Sequence, residues 1–287
     1  MTTDPNNHAA VPGLERGLNL LRLFKRTRPT ISPPEIAREL GIPRSTVHRL
    51  VQTLEEMGFL RRSERGAYAL GPSVLAIGFE YLGSLDIVQL SNPVLARLRD
   101  ETDCSTHLAV RNGTDVVYLS RHATRAAVTS NVSVGTSLPA HGTVIGRVIL
   151  ADLGHAELEA LYGGKTLPRY TEQTPTTFAA LEELLAEDRR RGYAVSTSFF
   201  ERGVISVAAP VRDHSGRVVA AINATAVNPA PDLEPLHGGL KDQIRAAAAA
   251  ISAMLGAPAL TPDRVPLPDP PSLAGEIRAT MSGRVPV

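Results

Sequence analysis

Two short apolar-striped segments flank a Gly-Ile-Pro break in SPPEIARELGIPRSTVHRLVQTLEEMGFL, residues 32–60. That pattern restricts the stretch to helix, tight turn and helix. Ser32 stands where an N-cap would, Pro33 follows just inside and Glu35 lies three residues on, so the spacing predicts a helix from about 33 to 40. Gly41 stops it and Pro43 can open the next. In that second helix Val47, Leu50, Val51 and Leu54 recur at i, i+3, i+4 and i+7 and form one apolar face. Ser45, Arg49 and Gln52 fall roughly opposite, with His48 flanking and Arg44 and Thr46 in the first turn.

A helix, a Gly-containing turn and a second helix with a polar outer face is the helix-turn-helix pattern, whose second helix enters a major groove N-terminus first. Arg can pair bidentately with guanine and Gln with adenine, while Ser and free backbone N–H groups at a helix start can hold phosphate. The same residues would also suit the solvated face of an ordinary amphipathic helix. The adjoining stretch favours DNA. RRSERGAYALG, residues 61–71, reads as two short extended stretches around Ser63-Glu64-Arg65-Gly66, a β-hairpin wing from which Arg61, Arg62 and Arg65 would reach phosphates. Upstream, Leu14, Leu18, Leu21 and Phe24 are spaced for a first helix, and Pro29, Pro33 and Pro34 punctuate a short connection.

Charge separates this head from the rest. Residues 14–71 carry eleven Lys/Arg against six Asp/Glu, a net of +5; the remainder carries 19 against 23, a net of −4. A basic head on a mildly acidic body points to a polyanion partner for the head. At 287 residues two domains are expected. Cys104 is the only cysteine, which excludes an intrachain disulfide framework or a Cys-based zinc site and suits a reducing cytoplasm. MTTDPNNHAAVPG lacks a basic-then-apolar leader pattern, and no apolar run approaches the ~20 residues of a membrane span, so no membrane partner is expected.

The run from LERGLNLLRLF through EIARELGIPRSTVHRLVQTLEEMGFL to YALGPSVLAIG resembles the winged-helix head of the isocitrate-lyase-regulator (IclR) family of bacterial transcription factors. GTSLPAHGTVIGRVILADL (135–153) and GYAVSTSFFERGVISVAAPVRDHSGRVVAAINATA (192–226) resemble the two hallmark stretches of that family's effector-binding domain. FEYLGSL, SVGTSLPAHGTVIGRVILA and INATA are similar to the branch that regulates aromatic-acid catabolism through protocatechuate and β-ketoadipate. The resemblance implies an α+β chain: winged helix-turn-helix over 14–71, linker helix over 72–90, and a GAF-like or profilin-like effector domain with a mainly antiparallel sheet over 91–256. It also implies homodimers joined through heads and linker, often paired into tetramers, on a pseudo-palindromic operator.

The body, read from its residues, is an α/β sensor. Asn92-Pro93 can open a helix through Leu95 and Leu98 to about Thr102, and STHLAVR and DVVYLSR are extended runs around Asn112-Gly113. A strand near 126–134, the loop GTSLPAHGT, a helix near 142–153, a helix over 177–191 stopped by Gly192, strands 193–198, 204–212 and 217–226, and a helix over 233–255 come next. Loop 135–143 runs straight into its helix, so free N–H groups there can hold a carboxylate. The resemblance places effector contacts at Leu138, Val144, Ile145, Ser196, Val204, Ser206, Asn223 and Thr225. Ser206, Asn223 and Thr225 are polar groups on otherwise apolar strands, as suits orienting a polar ligand, and equally suits ordinary strand residues bonded to neighbours. Many relatives carry an acid where Ser196 stands, and smaller residues where Val144 and Ile145 stand, so a less polar pocket and an aromatic or lactone-like compound are expected.

No G-x-S-x-G elbow, phosphate-binding loop, G-x-G-x-x-G or H-E-x-x-H is present, and His107, His122, His141 and His155 are scattered, so no catalytic residue, metal or cofactor is assigned. Cys104 reads as a small core residue. The expectation is a ligand-responsive regulator, repressor or activator, of a catabolic operon. A small hydrolase tethered to a DNA-binding head and a purely architectural DNA binder are the alternatives. The N-terminus to residue 13 and the Pro-rich stretch 257–287 read as disordered.

Overall fold

Leu20, Phe24, Ile31, Ile36, Val47, Val51, Leu60 and Tyr68 converge on one apolar core, and the elements that carry them are those of a winged helix. A computed structural model describes residues 11–124, 132–197, 203–227 and 234–258 of the chain. Contacts divide it into two units, Met1–Leu85 and Asp86–Val287.

In the first unit α1 (Pro12–Arg22), β1 (Thr30–Ile31), α2 (Pro33–Leu40), α3 (Arg44–Glu56), β2 (Leu60–Arg62), β3 (Tyr68–Leu70) and α4 (Ser73–Gly83) follow one another. The α2 start is capped as its residues require: Glu35 Oε2 accepts the Ser32 N–H at 2.9 Å. Gly41 takes φ +63° at the α2 end, a left-handed turn that glycine adopts without strain and that frees the chain to re-enter a helix at Arg44. The wing is a three-stranded antiparallel sheet in the order β1-β3-β2. Its third strand departs from expectation: the proline-punctuated connection contains β1, where Ile31 pairs with Tyr68 and is buried. Phe24 also differs, lying past the end of α1 while still filling the core. α1 begins at Pro12, inside the segment expected to be disordered; residues 1–10 lie outside the described residues.

The expected linker helix over 72–90 is two helices, α4 ending at Gly83 and α5 (Asp86–Thr102) beginning after Leu85. Pro93 does not open α5 but sits inside it. Its missing N–H costs one helical hydrogen bond, yet Ser91, Leu95 and Leu98 are buried as α5 packs on β4 and β5. Packing there outweighs the local break.

The second unit continues through β4 (Ser105–Asn112), β5 (Asp115–His122), β6 (Ser137–Pro139), a 3-10 turn at Ala140–Gly142, α6 (Val144–Leu150), α7 (His155–Tyr162), α8 (Phe178–Arg191), β7 (Ala194–Thr197), β8 (Val204–Arg212), β9 (Val218–Val227) and α9 (Glu234–Met254). The six strands form one antiparallel sheet in the order β6-β5-β4-β9-β8-β7. β4 and β5 join through Gly113-Thr114, one residue past the expected Asn112-Gly113, with Gly113 at φ +63°. The strand expected near 126–134 falls mostly on residues 125–131, which lie outside the described residues, as do 259–287 of the proline-rich stretch; the stretch expected as a loop, 135–143, holds the short strand β6. α7, whose Leu158, Leu161 and Tyr162 recur at i, i+3 and i+4 and pack on the core, is an element beyond those expected.

α5 and α9 cover one face of the sheet, and α6 with α8 behind it covers the other. On the α6 side Ala109, Val116 and Tyr118 pack with Ala208, Ala221 and the helix residues Val144, Ile145, Val148 and Ile149. A fully buried side chain such as Ile145 contributes ~1.5–3 kcal/mol. Gly146 permits the close seat of α6, since a Cβ there would stand 2.3 Å from the Ala140 carbonyl oxygen. Among the described residues no single helix is long and apolar enough to cross a membrane.

Candidate functional sites in the head and on the sheet

On α3, Val47 and Val51 are buried and Leu50 and Leu54 pack on the core, which turns the opposite side outward. Arg44, Ser45, His48, Arg49 and Gln52 are exposed there, and Thr46 is half-buried. Gln52 Nε2 donates to Glu56 Oε1 at 3.1 Å, a surface contact that holds the amide over the helix. Arg61, Arg62 and Arg65 are exposed on the wing. Five arginines and no carboxylate are among these nine side chains, a surface whose charge and donors match a phosphate backbone.

In the second unit strand alternation places Ala221, Asn223 and Thr225 of β9 on the α6 face. Register then sets Asn223 beside His107 of β4, and Thr225 between Ser105 of β4 and Ser206 of β8. Four of these side chains form one buried hydrogen-bonded cluster. Asn223 Nδ2 donates to Ser206 Oγ at 3.0 Å and to Thr225 Oγ1 at 3.1 Å; the two hydroxyl oxygens lie 2.9 Å apart, and Asn223 Oδ1 meets His107 Nδ1 at 3.0 Å. Burial, with the charge of Arg121 opposite on β5, pulls the His107 pKa down to about 4. Four polar side chains in direct contact, buried on a sheet face that also carries Ala109, Ala208 and Ala221, can orient a polar ligand.

The structure thus brings Ser206, Asn223 and Thr225 together, with Ser196 beside them as the β7 partner of Ser206. Val204 lies on the same face two residues away and is half-buried. Leu138, Val144 and Ile145 instead belong to the neighbouring apolar cluster, Ile145 fully enclosed. The Thr143 hydroxyl accepts the Gly146 N–H at 3.2 Å, so one amide of this helix start is already capped. His107 is the member that sequence reasoning misses: alone in the chain it is a scattered histidine, and only the β4–β9 register joins it to Asn223. Cys104 is buried, its thiol pushed up by desolvation, as a core residue should be. Among the described residues no group of three His, Cys, Asp or Glu could hold a metal. A cavity of about 270 Å³ lies elsewhere, at the Val218 end of β9. Its Asp152 is already held by Arg212 and the Val218 N–H.

A winged helix with a basic outer surface, joined to an α/β domain with a buried polar cluster, defines a ligand-responsive DNA-binding transcriptional regulator. Family models sharpen this: the bacterial transcriptional regulator IclR C-terminal domain matches residues 79–253 and the IclR helix-turn-helix domain matches residues 13–64. The chain belongs to the IclR family of bacterial transcriptional regulators. It is 35% identical over 253 residues to the HTH-type transcriptional regulator XynR of Escherichia coli K12, covering 87% of this chain and 99% of that one. It is 31% identical over 225 residues to the Pca regulon regulatory protein of Pseudomonas putida, covering 78% and 76%. A transcriptional regulator from Rhodococcus sp. RHA1 superposes with a TM-score of 0.74 at 33% identity, covering 86% of this chain and 98% of that one. An IclR homologue from Microbacterium hydrocarbonoxydans, crystallised with 4-hydroxybenzoate, gives 0.73 at 29% identity, covering 85% and 98%. These families are regulators, which decides against the tethered hydrolase.

Proposed function

We propose that this chain is a cytoplasmic homodimer, able to pair into a tetramer, that binds a pseudo-palindromic operator of a catabolic operon and responds to a small organic or aromatic acid. Arg49 and Gln52 read base edges, Arg44, Ser45, Thr46 and His48 lie along the groove, and Arg61, Arg62 and Arg65 hold phosphates. The effector sits against Ser196, Ser206, Asn223 and Thr225, with Leu138, Val144, Ile145 and Val204 as its apolar surroundings. The buried Ser206–Asn223–Thr225 cluster carries this reading, because buried polar groups on an apolar sheet face are costly unless they serve a structural or a binding purpose. The relative crystallised with 4-hydroxybenzoate and the Pca regulon regulator favour an aromatic acid.

A thermal-shift screen of small aromatic and aliphatic acids on the full chain tests this, with turnover followed by mass spectrometry. Binding without turnover, accompanied by a change in operator affinity, is the expected result. If no acid bound and operator affinity never moved, the second unit would serve assembly alone.

A further inference from the structure

His107 ends the buried chain of hydrogen bonds, and the direction in which each bond donates can be read from the distances. Asn223 Nδ2, Ser206 Oγ and Thr225 Oγ1 form a triangle with edges of 3.0, 3.1 and 2.9 Å. With nitrogen at the Asn223 corner, two amide protons and one hydroxyl proton cover all three edges. The Ser206 proton can then go to the Ala224 carbonyl, 3.3 Å away. With the amide reversed, three oxygens would share two hydroxyl protons, leaving one close contact of oxygen on oxygen with nothing between. The amide therefore turns Oδ1 toward His107 Nδ1. An amide oxygen only accepts, so the neutral imidazole carries its proton on Nδ1. His107 Nε2 is left as a bare lone pair. It is buried and has no partner among the described residues, and the Tyr118 ring stands at 85° to the imidazole with centroids 5.5 Å apart.

We propose that His107 Nε2 accepts a hydrogen bond from a ligand hydroxyl, so that this site selects small organic acids bearing an alcohol or phenol over the same acids without one. The proposal rests on the cluster being the effector site. A buried acceptor without a donor is costly, and a ligand O–H removes that cost, whereas a carboxylate oxygen has no proton to give and meets the lone pair with its own. Asn223 acts here as a positioning residue: its two hydroxyl contacts fix the amide, and the amide fixes the tautomer.

Two measurements test it on the full chain. Nitrogen-15 NMR of histidine-labelled protein without ligand, at pH 7 and with His107 assigned by its loss in His107→Gln, should show a pyridine-type Nε2. A pyrrole-type Nε2, its proton directed at the Tyr118 ring, overturns the proposal. Calorimetric titrations with 4-hydroxybenzoate against benzoate, and 3-hydroxybutyrate against butyrate, should show the hydroxylated member of at least one pair binding ~10- to 100-fold tighter. In His107→Phe, of similar volume, that preference should fall to within about threefold. Equal binding within both pairs, no binding by either hydroxy acid, or a preference that survives His107→Phe overturns it. Should binding also be untouched by Ser206→Ala and Asn223→Leu, the effector lies elsewhere and the reading of the site fails with it. That outcome differs from a correctly placed ligand that ignores the hydroxyl. If His107→Phe does not fold, His107→Gln takes its place in the titrations, and the nitrogen spectrum of the unaltered chain still decides the tautomer.

Discussion

Arg147 of α6 and Asp188 of α8 form a two-point ion pair, Nε to Oδ2 at 2.7 Å and Nη2 to Oδ1 at 2.6 Å, with both side chains buried. The guanidinium also donates to the Val195 carbonyl at 3.4 Å, so one side chain ties α6, α8 and β7 together beside the polar cluster. Burial pushes the Asp188 carboxyl up, against the pull of Arg147. Asp188→Ala leaves a buried cation without its counter-charge and should cost ~3–5 kcal/mol. Arg147→Met with Asp188→Leu should recover much of that loss. Urea unfolding of the three variants checks it, and an Asp188→Ala cost below about 1 kcal/mol would mean the pair is reached by water.

Replacing Arg49 by Ala should relax sequence preference at one or two operator positions and cost ~1–3 kcal/mol. Arg62→Ala or Arg65→Ala should weaken binding to every sequence alike and flatten its salt dependence. Operator and scrambled-duplex titrations at several salt concentrations separate the two effects. An Arg49→Ala protein with unchanged affinity and preference would remove α3 from the role of reading helix.

Asn223→Leu should abolish the response to effector while operator affinity without ligand stays near its starting value. An effector shifts the DNA-binding equilibrium only through its different affinities for the two states, typically ~1–3 kcal/mol of coupling. Operator titrations with and without ligand check this. A persisting response would place the pocket elsewhere.

His107 makes stability depend on acidity in one direction. Burial first, and then the Arg121 and His122 charges, hold its folded pKa down at about 4 despite the Asn223 hydrogen bond. An unfolded histidine takes up its proton near pH 6.5, so between those values the unfolded state binds more protons and stability falls as pH falls. The histidine contribution is intact above about pH 6.5, and by pH 4.5 about 2–3 kcal/mol should be gone. Urea unfolding of wild type and His107→Gln at pH 7 and 4.5 isolates this part from carboxylate titration. Equal losses in both proteins would count against it.

On α4, Leu75, Ile77, Phe79 and Tyr81 are 52–61% exposed and no residue of the helix is buried. Leu75 with Phe79, and Ile77 with Tyr81, stand one turn apart on two sides of the helix, and apolar side chains so exposed fit a helix that meets a second copy. In the homodimer proposed above, Leu75→Glu with Phe79→Glu should shift the species seen by light scattering to monomer and lower operator affinity more than tenfold, since one head reads only half a site (~1.4 kcal/mol or more). A dimer that survives both changes pairs through another face.

Local chemistry makes much of the fold legible in the chain. Ser32, Glu35 and Gly41 bound α2 by contacts within a few residues, the Val47–Val51 stripe orients α3, and Gly192 closes α8 at φ +75°. Such signals act over one or two helical turns, so the residues alone suffice. β1 escapes because two strand residues carry no periodicity, and it exists only because Ile31 finds Tyr68. Pro93 misleads because the burial of Leu95 and Leu98 against a distant sheet outweighs one lost hydrogen bond.

The polar cluster divides in the same way. Ser206, Asn223 and Thr225 stand out as polar residues on apolar strands, so the residues alone mark this stretch as unusual. That His107 completes the cluster, and that Leu138, Val144 and Ile145 belong to a neighbouring apolar layer, emerges only in the packed domain. Strand register couples residues 116 positions apart, His107 with Asn223, and nothing in either strand's own pattern states which register its partner will take. The pairing is selected by the summed burial of both sheet faces, a quantity that exists only once all the layers have packed.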